Sequence, residues 1–228
     1  MARYQATLHP EFQYNINEIV FILHSMHKYY VIHKPFGMLS QFHKEGKNKA
    51  PTLKDLNFDF QKDVYPVGRL DSDSEGLLIL TNDKSLNHSL LNPKFKHNRT
   101  YLSQVEGQIN DEAIKQLEEG VLISTDGVEY KTRPAKAEIA NPPENLHERF
   151  PPVRFRKHIP TSWVKLTLQE GKHRQVRKMT AKTGYPTLRL IRISIEDIEL
   201  GEMKPGEVKE IKQDWLYNKL KLSIPNYY

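Results

Sequence analysis

The stretch from Val67 to Asp83, Val-Gly-Arg-Leu-Asp-Ser-Asp-Ser-Glu-Gly-Leu-Leu-Ile-Leu-Thr-Asn-Asp, constrains this chain more than any other. Leu77, Leu78, Ile79 and Leu80 have the length and composition of a strand buried on both faces. Gly68 and Gly76 free the backbone on either side of the acidic turn that precedes it. Asp71 therefore stands two residues after Arg69, at the mouth of a rigid element, a setting that suits a nucleophile. The competing reading is an ordinary turn residue, since Asp is favoured in turns. A calcium loop is rejected. With Asp71 at position one, Asp73, Glu75 and Gly76 fall at three, five and six, but position twelve is Asn82 where a bidentate glutamate should close the site.

A second constraint is where the charge lies. From Pro151 to Arg192 there are eleven Lys and Arg against one acid, Glu170, which gives +10 in 42 residues of a chain whose total is +6. Such local basicity, with Phe155, Trp163 and Tyr185 interleaved to pack or stack, reads as the footprint of a polyanion, and nucleic acid is the expected partner. Within it, a helix is predicted from about 172 to 183, stopped by Gly184 and Pro186, with Lys172, Arg174, Arg177 and Lys178 in its first turns. Helix N-termini already carry partial positive charge, so cations there call for a nearby anion. Arg174 and Arg177 share a face and could hold a substrate phosphate and the Asp71 carboxylate, or else form a solvated basic face.

The remaining composition narrows the classes. A chain of 228 residues with 38% hydrophobic and 27% charged residues can bury a substantial core and reads as a soluble globular protein. No apolar run reaches membrane-spanning length, and Ile19–Leu23 lacks the features of a convincing signal peptide. The absence of cysteine excludes disulfides, thiol nucleophiles and cysteine-based zinc sites, and is compatible with a reducing cytoplasm. His24, His27 and His33 are the nearest approach to a metal cluster but lack further ligands, so no metal is expected. Neither a phosphate loop nor a dinucleotide turn is present, so no nucleotide cofactor is expected. Strands are predicted near 28–34, 64–69, 76–82, 99–107, 131–140, 161–169 and 187–200, with helices near 84–92, 111–119, 172–183 and 213–219. Strands outnumber helices without alternating with them, which favours an α+β fold with a largely antiparallel sheet. The proline-rich stretch 141–160 reads as a loop, and RNA contact is expected there, with Arg154 and Arg156 as its cations.

Gly68-Arg69-Leu70-Asp71, Ser74-Glu75-Gly76-Leu77-Leu78 and Thr81-Asn82-Asp83 together resemble the signature of the RsuA-type pseudouridine synthase family. Other segments agree. Tyr30-Val31-Ile32-His33-Lys34-Pro35-Phe36-Gly37-Met38 resembles the family's opening strand and its Lys-Pro-x-Gly turn, and Arg99-Thr100-Tyr101-Leu102 its second motif. Glu170 to Met179 resembles the third motif, and Leu188 to Arg192 with Lys204 to Glu207 the closing strands. The resemblance spans about residues 28–212. It implies a pseudouridine synthase fold, a mixed sheet in two lobes with a central active-site cleft lined by Asp71 and the third-motif helix. It also implies the isomerisation of a uridine to pseudouridine in RNA without a cofactor.

Roles follow from the same resemblance. Asp71 would be the catalytic carboxylate and would need to be ionised, Arg177 would pair with it, and Tyr101 would stack on the target base. Arg69 would enter the gap left by a flipped nucleotide, Leu190 would wall the pocket, and Arg174 would bind substrate. Lys172, Lys178, Arg154 and Arg156 are expected to contact RNA. Residues 1–27 are expected to be an N-terminal extension, possibly disordered, and too few for the small RNA-binding domain that many family members carry there. Residues 28–228 would be the catalytic domain. That feature and the lead Ile159-Pro160-Thr161-Ser162-Trp163 resemble a branch of the family acting on large-subunit ribosomal RNA, and a cytoplasmic monomer is expected. The alternative is a non-catalytic RNA-binding or ribosome-assembly protein with the same fold. A phosphodiesterase is disfavoured for want of a metal cluster or a clear histidine pair.

Overall fold

A computed structural model describes residues 27–44, 46, 49–154 and 156–225. The extension expected over 1–27 therefore lies outside the described residues except for His27, and Phe155 lies outside them too. In chain order the elements are β1 (Tyr29–Lys34), β2 (Tyr65–Pro66), β3 (Glu75–Thr81), α1 (Lys84–Leu91), β4 (Arg99–Glu106), α2 (Asp111–Glu119), β5 (Leu122–Thr125), β6 (Val128–Lys131), β7 (Lys136–Ala140), β8 (Thr161–Leu168), α3 (Gln175–Lys182), β9 (Thr187–Ile195), β10 (Ile198–Glu199), β11 (Val208–Glu210) and α4 (Gln213–Lys219).

The main sheet runs β11-β1-β3-β9-β4-β8-β7, with β2 added to β3 and β10 to β9, while β5 and β6 form a separate hairpin. Every pairing is antiparallel except β3 with β9, where Glu75 faces Ile191 and Gly76 faces Arg192. This is the expected mixed, largely antiparallel α+β sheet, and its two lobes are the two halves that meet at the β3·β9 seam. The meeting is close. A Cβ on Gly76 would lie 2.3 Å from the Arg192 carbonyl oxygen and 2.7 Å from its nitrogen, so only glycine allows this approach.

The apolar run in β3 sits at the centre because both of its faces are buried. Leu77 and Ile79 join a core with Tyr29, Val31, Leu86, Ile191 and Leu216, while Leu78 and Leu80 face Tyr30, Ile32, Leu53 and Val64. A third core lies under the other half, where α2, α3 and the hairpin pack on β4 and β8 through Leu117, Ile123, Val164, Leu166 and Met179. α1 starts where the motif's final residue caps it. The Asp83 carboxylate accepts from the backbone of Ser85 and Leu86 and from the hydroxyls of Tyr29 and Tyr217. Burial alone would raise that carboxyl, but the hydroxyls of Tyr217 and Tyr29 and the Leu86 amide hold it below the ordinary value.

Four predicted elements change on folding, the strand near 64–69 first, which shortens to the two residues of β2. The strand near 131–140 is divided between β6 and β7, because Pro134 has no N–H for a ladder and the intervening backbone bonds to Val121 and Glu118 instead. The strand near 187–200 breaks into β9 and β10 at Glu196, which takes a left-handed φ of 46°. The helix expected from 172 begins at Gln175, because Arg174 adopts a left-handed conformation (φ 54°, ψ 33°) at the cap position. Lys172 and Arg174 therefore precede the helix, and only Arg177 and Lys178 lie in its first turn.

Candidate active site

Asp71 sits in the loop from β2 to β3, and that loop is held from below by the Lys-Pro-x-Gly turn that follows β1. The Ser40 hydroxyl donates to the Leu70 carbonyl at 2.8 Å and accepts from the Leu70 N–H at 3.0 Å. The Gly37 N–H donates to the Ser72 carbonyl at 2.7 Å, and the Ser74 N–H to the Asp71 carbonyl at 3.0 Å. Beneath the turn Lys34 is fully buried, its ammonium donating to the carbonyls of Met38 at 2.7 Å and Pro35 at 3.0 Å. Burial pushes it down to about 8 against the opposing pull of Glu75, Asp73 and Asp71. His33, next to it in β1, is buried with Nδ1 2.7 Å from the Met203 carbonyl.

Three carboxylates, at 71, 73 and 75, leave this segment and meet three guanidiniums from the other half. Arg189 of β9 makes a forked pair with Glu75, both bonds 2.9 Å, in a fully buried setting, and also donates to the His147 carbonyl. Arg174 forks onto Asp73 at 2.9 and 2.8 Å. Arg177 donates to the Asp73 backbone carbonyl at 2.6 Å and brings Nε to 3.4 Å from the Asp73 carboxylate. Burial works to raise the Asp73 carboxyl, but the Arg174 bond and the charges of Arg177 and Arg174 outweigh it and hold the group below its ordinary value. The Asp73 bond raises Arg174, whereas burial lowers Arg177 against the Asp73 charge.

The ion pair expected between Arg177 and Asp71 is thus made with Asp73. The cation beside Asp71 is Arg174, whose Nη1 is 3.8 Å from Oδ2, beyond hydrogen-bond reach. The reason lies in the cap: the left-handed turn at Arg174 swings its side chain toward the acidic loop, while Arg177, one turn on, is drawn under it. Asp71 is left about one-third exposed. It opens into a cavity of about 730 Å³ lined also by Arg69, Tyr101, Lys172, Arg174 and Leu190. Such a concave site with a few convergent polar groups is suited to a nucleotide-sized ligand.

The other expected site residues distribute unevenly. Arg69, Tyr101, Arg174, Leu190 and Lys172 line the cavity with Asp71, and Lys172 lies over the Tyr130 ring at 4.6 Å. Arg177 is beneath it, and Lys178 is on α3 outside the lining. Arg154 and Arg156 line a separate groove of about 170 Å³, and Arg156 is paired with Glu106 at 2.8 Å. Trp163 and Tyr185 are packed against the cores. Arg189 and Arg192, counted among the cations of the basic segment, are buried at the seam. Arg149 holds the proline-rich loop to the body, donating to the carbonyls of Pro151, Pro152 and Leu188.

Two contributors escaped the sequence reading. Asp73 enters the sequence reading only as position three of the rejected calcium loop, although its spacing of two from Asp71 and Glu75 is visible. Glu170, read as the exception to the basicity and the first residue of the third motif but given no role, ties the hairpin to α3 by accepting from the Tyr130 hydroxyl, the Arg133 N–H and the Gln175 amide.

With this geometry in view, comparisons with known proteins converge. The family model described as RNA pseudouridylate synthase matches residues 28–182. The chain is 48% identical over 185 residues to the ribosomal large subunit pseudouridine synthase E of Vibrio parahaemolyticus, covering 81% of this chain and 74% of that protein. It is 45% identical over 175 residues to the protein of the same name from Xanthomonas axonopodis pv. citri, covering 77% of this chain and 89% of the other. A solved structure titled as a pseudouridylate synthase superposes with a TM-score of 0.68 at 28% identity, covering 85% of this chain and 74% of that one.

Proposed function

The chain belongs to the RNA pseudouridylate synthase family and is an isomerase of that kind, and from this we propose that it converts a uridine of large-subunit ribosomal RNA to pseudouridine with Asp71 as the catalytic carboxylate. The observation that carries the residue assignment is the unequal treatment of the three seam carboxylates. Asp73 and Glu75 are each forked by a guanidinium, whereas Asp71 has a single cation at 3.8 Å and faces the cavity. The large-subunit RNA assignment rests on the names of the Vibrio and Xanthomonas relatives.

Isomerisation breaks the bond from ribose C1′ to N1 and forms one from C1′ to C5; C5 loses its proton and N1, which carries no hydrogen in uridine, gains one, so the proton count is unchanged. Asp71 serves as the nucleophile or base, adding either at the sugar or at the ring. Arg174 sets a positive charge 3.8 Å from the Asp71 carboxylate. Tyr101 stacks on the base and Leu190 closes the apolar wall, so the detached uracil is retained while it turns. A stacked nucleotide must be extruded to reach Asp71, and Arg69, at the rim, takes its place in the helix. The rearrangement is redox-neutral and calls for no cofactor. We place residues 28–228 in one catalytic domain acting as a cytoplasmic monomer; no helix among the described residues is long and apolar enough to cross a membrane.

The test is Asp71→Asn. Pseudouridine, read as carbodiimide adducts that stop reverse transcription on large-subunit RNA, disappears while RNA binding persists. Modification retained by the variant removes Asp71 from the chemistry, and stoichiometric binding without modification by the intact protein points to a non-catalytic binding role.

A further inference from the structure

Behind Tyr101 a smaller cavity of about 260 Å³ shares Arg69, Tyr101, Glu170 and Lys172 with the Asp71 cavity. Arg69, Lys96, Arg99, Arg133, Lys172 and Arg192 all line it, and its one carboxylate is Glu170. Glu170 is already taken by the Tyr130 hydroxyl, the Arg133 N–H and the Gln175 amide.

Two of these cations differ from the rest. Arg99 and Arg192 stand on the adjacent strands β4 and β9, whose register at this point sets Tyr101 opposite Arg192. Arg192 is only 4% exposed; its Nε donates to the Leu77 carbonyl at 2.8 Å, and its Nη2 is buried with no hydrogen-bond partner. Arg99 donates to the carbonyls of Leu90 at 2.7 Å and His97 at 3.3 Å. Among the described residues neither is in an ion pair. The acid whose charge acts on Arg99, Glu196, is bound to the Asn98 N–H, His97 and Lys221. Burial, followed by the neighbouring Arg192 charge, presses the Arg99 guanidinium below its ordinary value. Two like charges side by side, Arg192 buried with an unused donor and Arg99 half-buried, are costly unless an anion sits between them.

We propose that Arg99 and Arg192 form a recessed phosphate site that takes the RNA phosphodiester next to the nucleotide held at Asp71. A guanidinium fork matches phosphate oxygens, and Tyr101 lines both cavities, so the site adjoins the one that Asp71 faces. The proposal rests on the RNA substrate given above. It concerns a contact made by strand residues at the floor of the site, apart from the exposed basic segment.

The test is a scan of synthetic RNAs that span the modified uridine, each carrying one neutral methylphosphonate in place of a phosphodiester, with Kd and pseudouridine yield at saturating RNA read for each. With the wild-type protein, one linkage flanking the uridine loses about tenfold or more in affinity. Arg192→Met loses a similar factor on all-phosphate RNA and shows no further loss at that linkage. Arg99→Gln, which keeps a donor, behaves the same way where Arg192→Met does not fold, and the wild-type scan needs neither variant. Flanking linkages that are all indifferent, or losses that multiply between variant and linkage, overturn the proposal. So does inhibition by inorganic phosphate that requires Arg192 while every linkage is indifferent, because the pocket then serves a free anion. Pseudouridine yield separates the two levels: tight, linkage-sensitive binding without product sinks the functional reading and leaves the phosphate site standing, and product without linkage sensitivity does the reverse.

Discussion

The two halves of the sheet bring opposite charges to their seam. The β11-β1-β3 half contributes Asp71, Asp73 and Glu75 on one short segment, while the β9-β4-β8-β7 half, with α3, contributes Arg174, Arg177 and Arg189. β3 and β9 share only two facing residue pairs, so backbone ladder alone is a thin junction. The ion pairs supplement it, and they do so unequally. Glu75 with Arg189 is buried and bidentate, Asp73 with Arg174 and Arg177 is half-buried, and Asp71 with Arg174 is long and open to the cavity. Along five residues the carboxylates pass from assembly to chemistry, and their separability can be measured.

Asp71→Asn produces the largest effect, complete loss of pseudouridine formation, with a thermal midpoint close to that of the parent because no hydrogen-bonded ion pair is broken. A large fall in that midpoint would mean that Asp71 also holds the seam. Glu75→Gln is its converse. It leaves the Arg189 guanidinium buried without a counter-charge and is expected to cost about 3–5 kcal/mol in urea unfolding. A loss under about 1 kcal/mol would show that the two halves do not depend on this pair.

Asp73→Asn lies between them. Both guanidiniums lose their carboxylate, but Arg177 keeps the Asp73 backbone carbonyl and the site is partly exposed, so a loss of about 1–2 kcal/mol is expected. The same pair gives a pH signature. Asp73 is held below its ordinary 3.8, so its stabilisation is fully present above that value and is lost as pH falls through the lower folded value. The parent should lose stability in that acid window more steeply than Asp73→Asn, and parallel curves would show that the pair contributes nothing net.

Much of this seam was legible in the chain. The run Leu77–Leu80 announces a strand buried on both faces, and Gly76 before it, read as a place where the backbone is freed, is where Arg192 approaches. Asp71, Tyr101, Arg174 and Leu190 could be brought together because their motifs are dense enough to resemble a family. Partner choice was not legible. Arg174 and Arg177 are three apart on what reads as one helix face, and nothing local indicates that Arg174 turns left-handed and ends that helix early. Local charge misleads for the same reason. Arg189 and Arg192 count toward the basic segment in sequence, yet their strand carries them inside. The division of 131–140 has one visible cause, Pro134, and one that strand periodicity does not reveal, the bonds of Thr132 and Ala135 to the Val121 and Glu118 carbonyls.

The smallest effect belongs to the cations farthest from the seam. Arg154 is exposed and in no ion pair among the described residues, whereas Arg156 is paired with Glu106 at 2.8 Å. If the outer groove touches RNA, Arg154→Ala should flatten the slope of log affinity against log salt by about 0.7–0.9, the value for one released counterion. Arg156→Ala should flatten it by less, because its charge is already compensated in the free protein and binding gains only what Glu106 gives up. Equal effects would mean that the pair opens on binding and that Arg156 transfers to phosphate. An unchanged slope in both variants would remove the outer groove from the RNA path and leave recognition to the cations of the two joined cavities, Arg69, Lys172, Arg99 and Arg192 among them. The sheet would then divide by function as it does by charge, with the acidic half supplying the reacting carboxylate and the basic half holding the base and the strand that carries it.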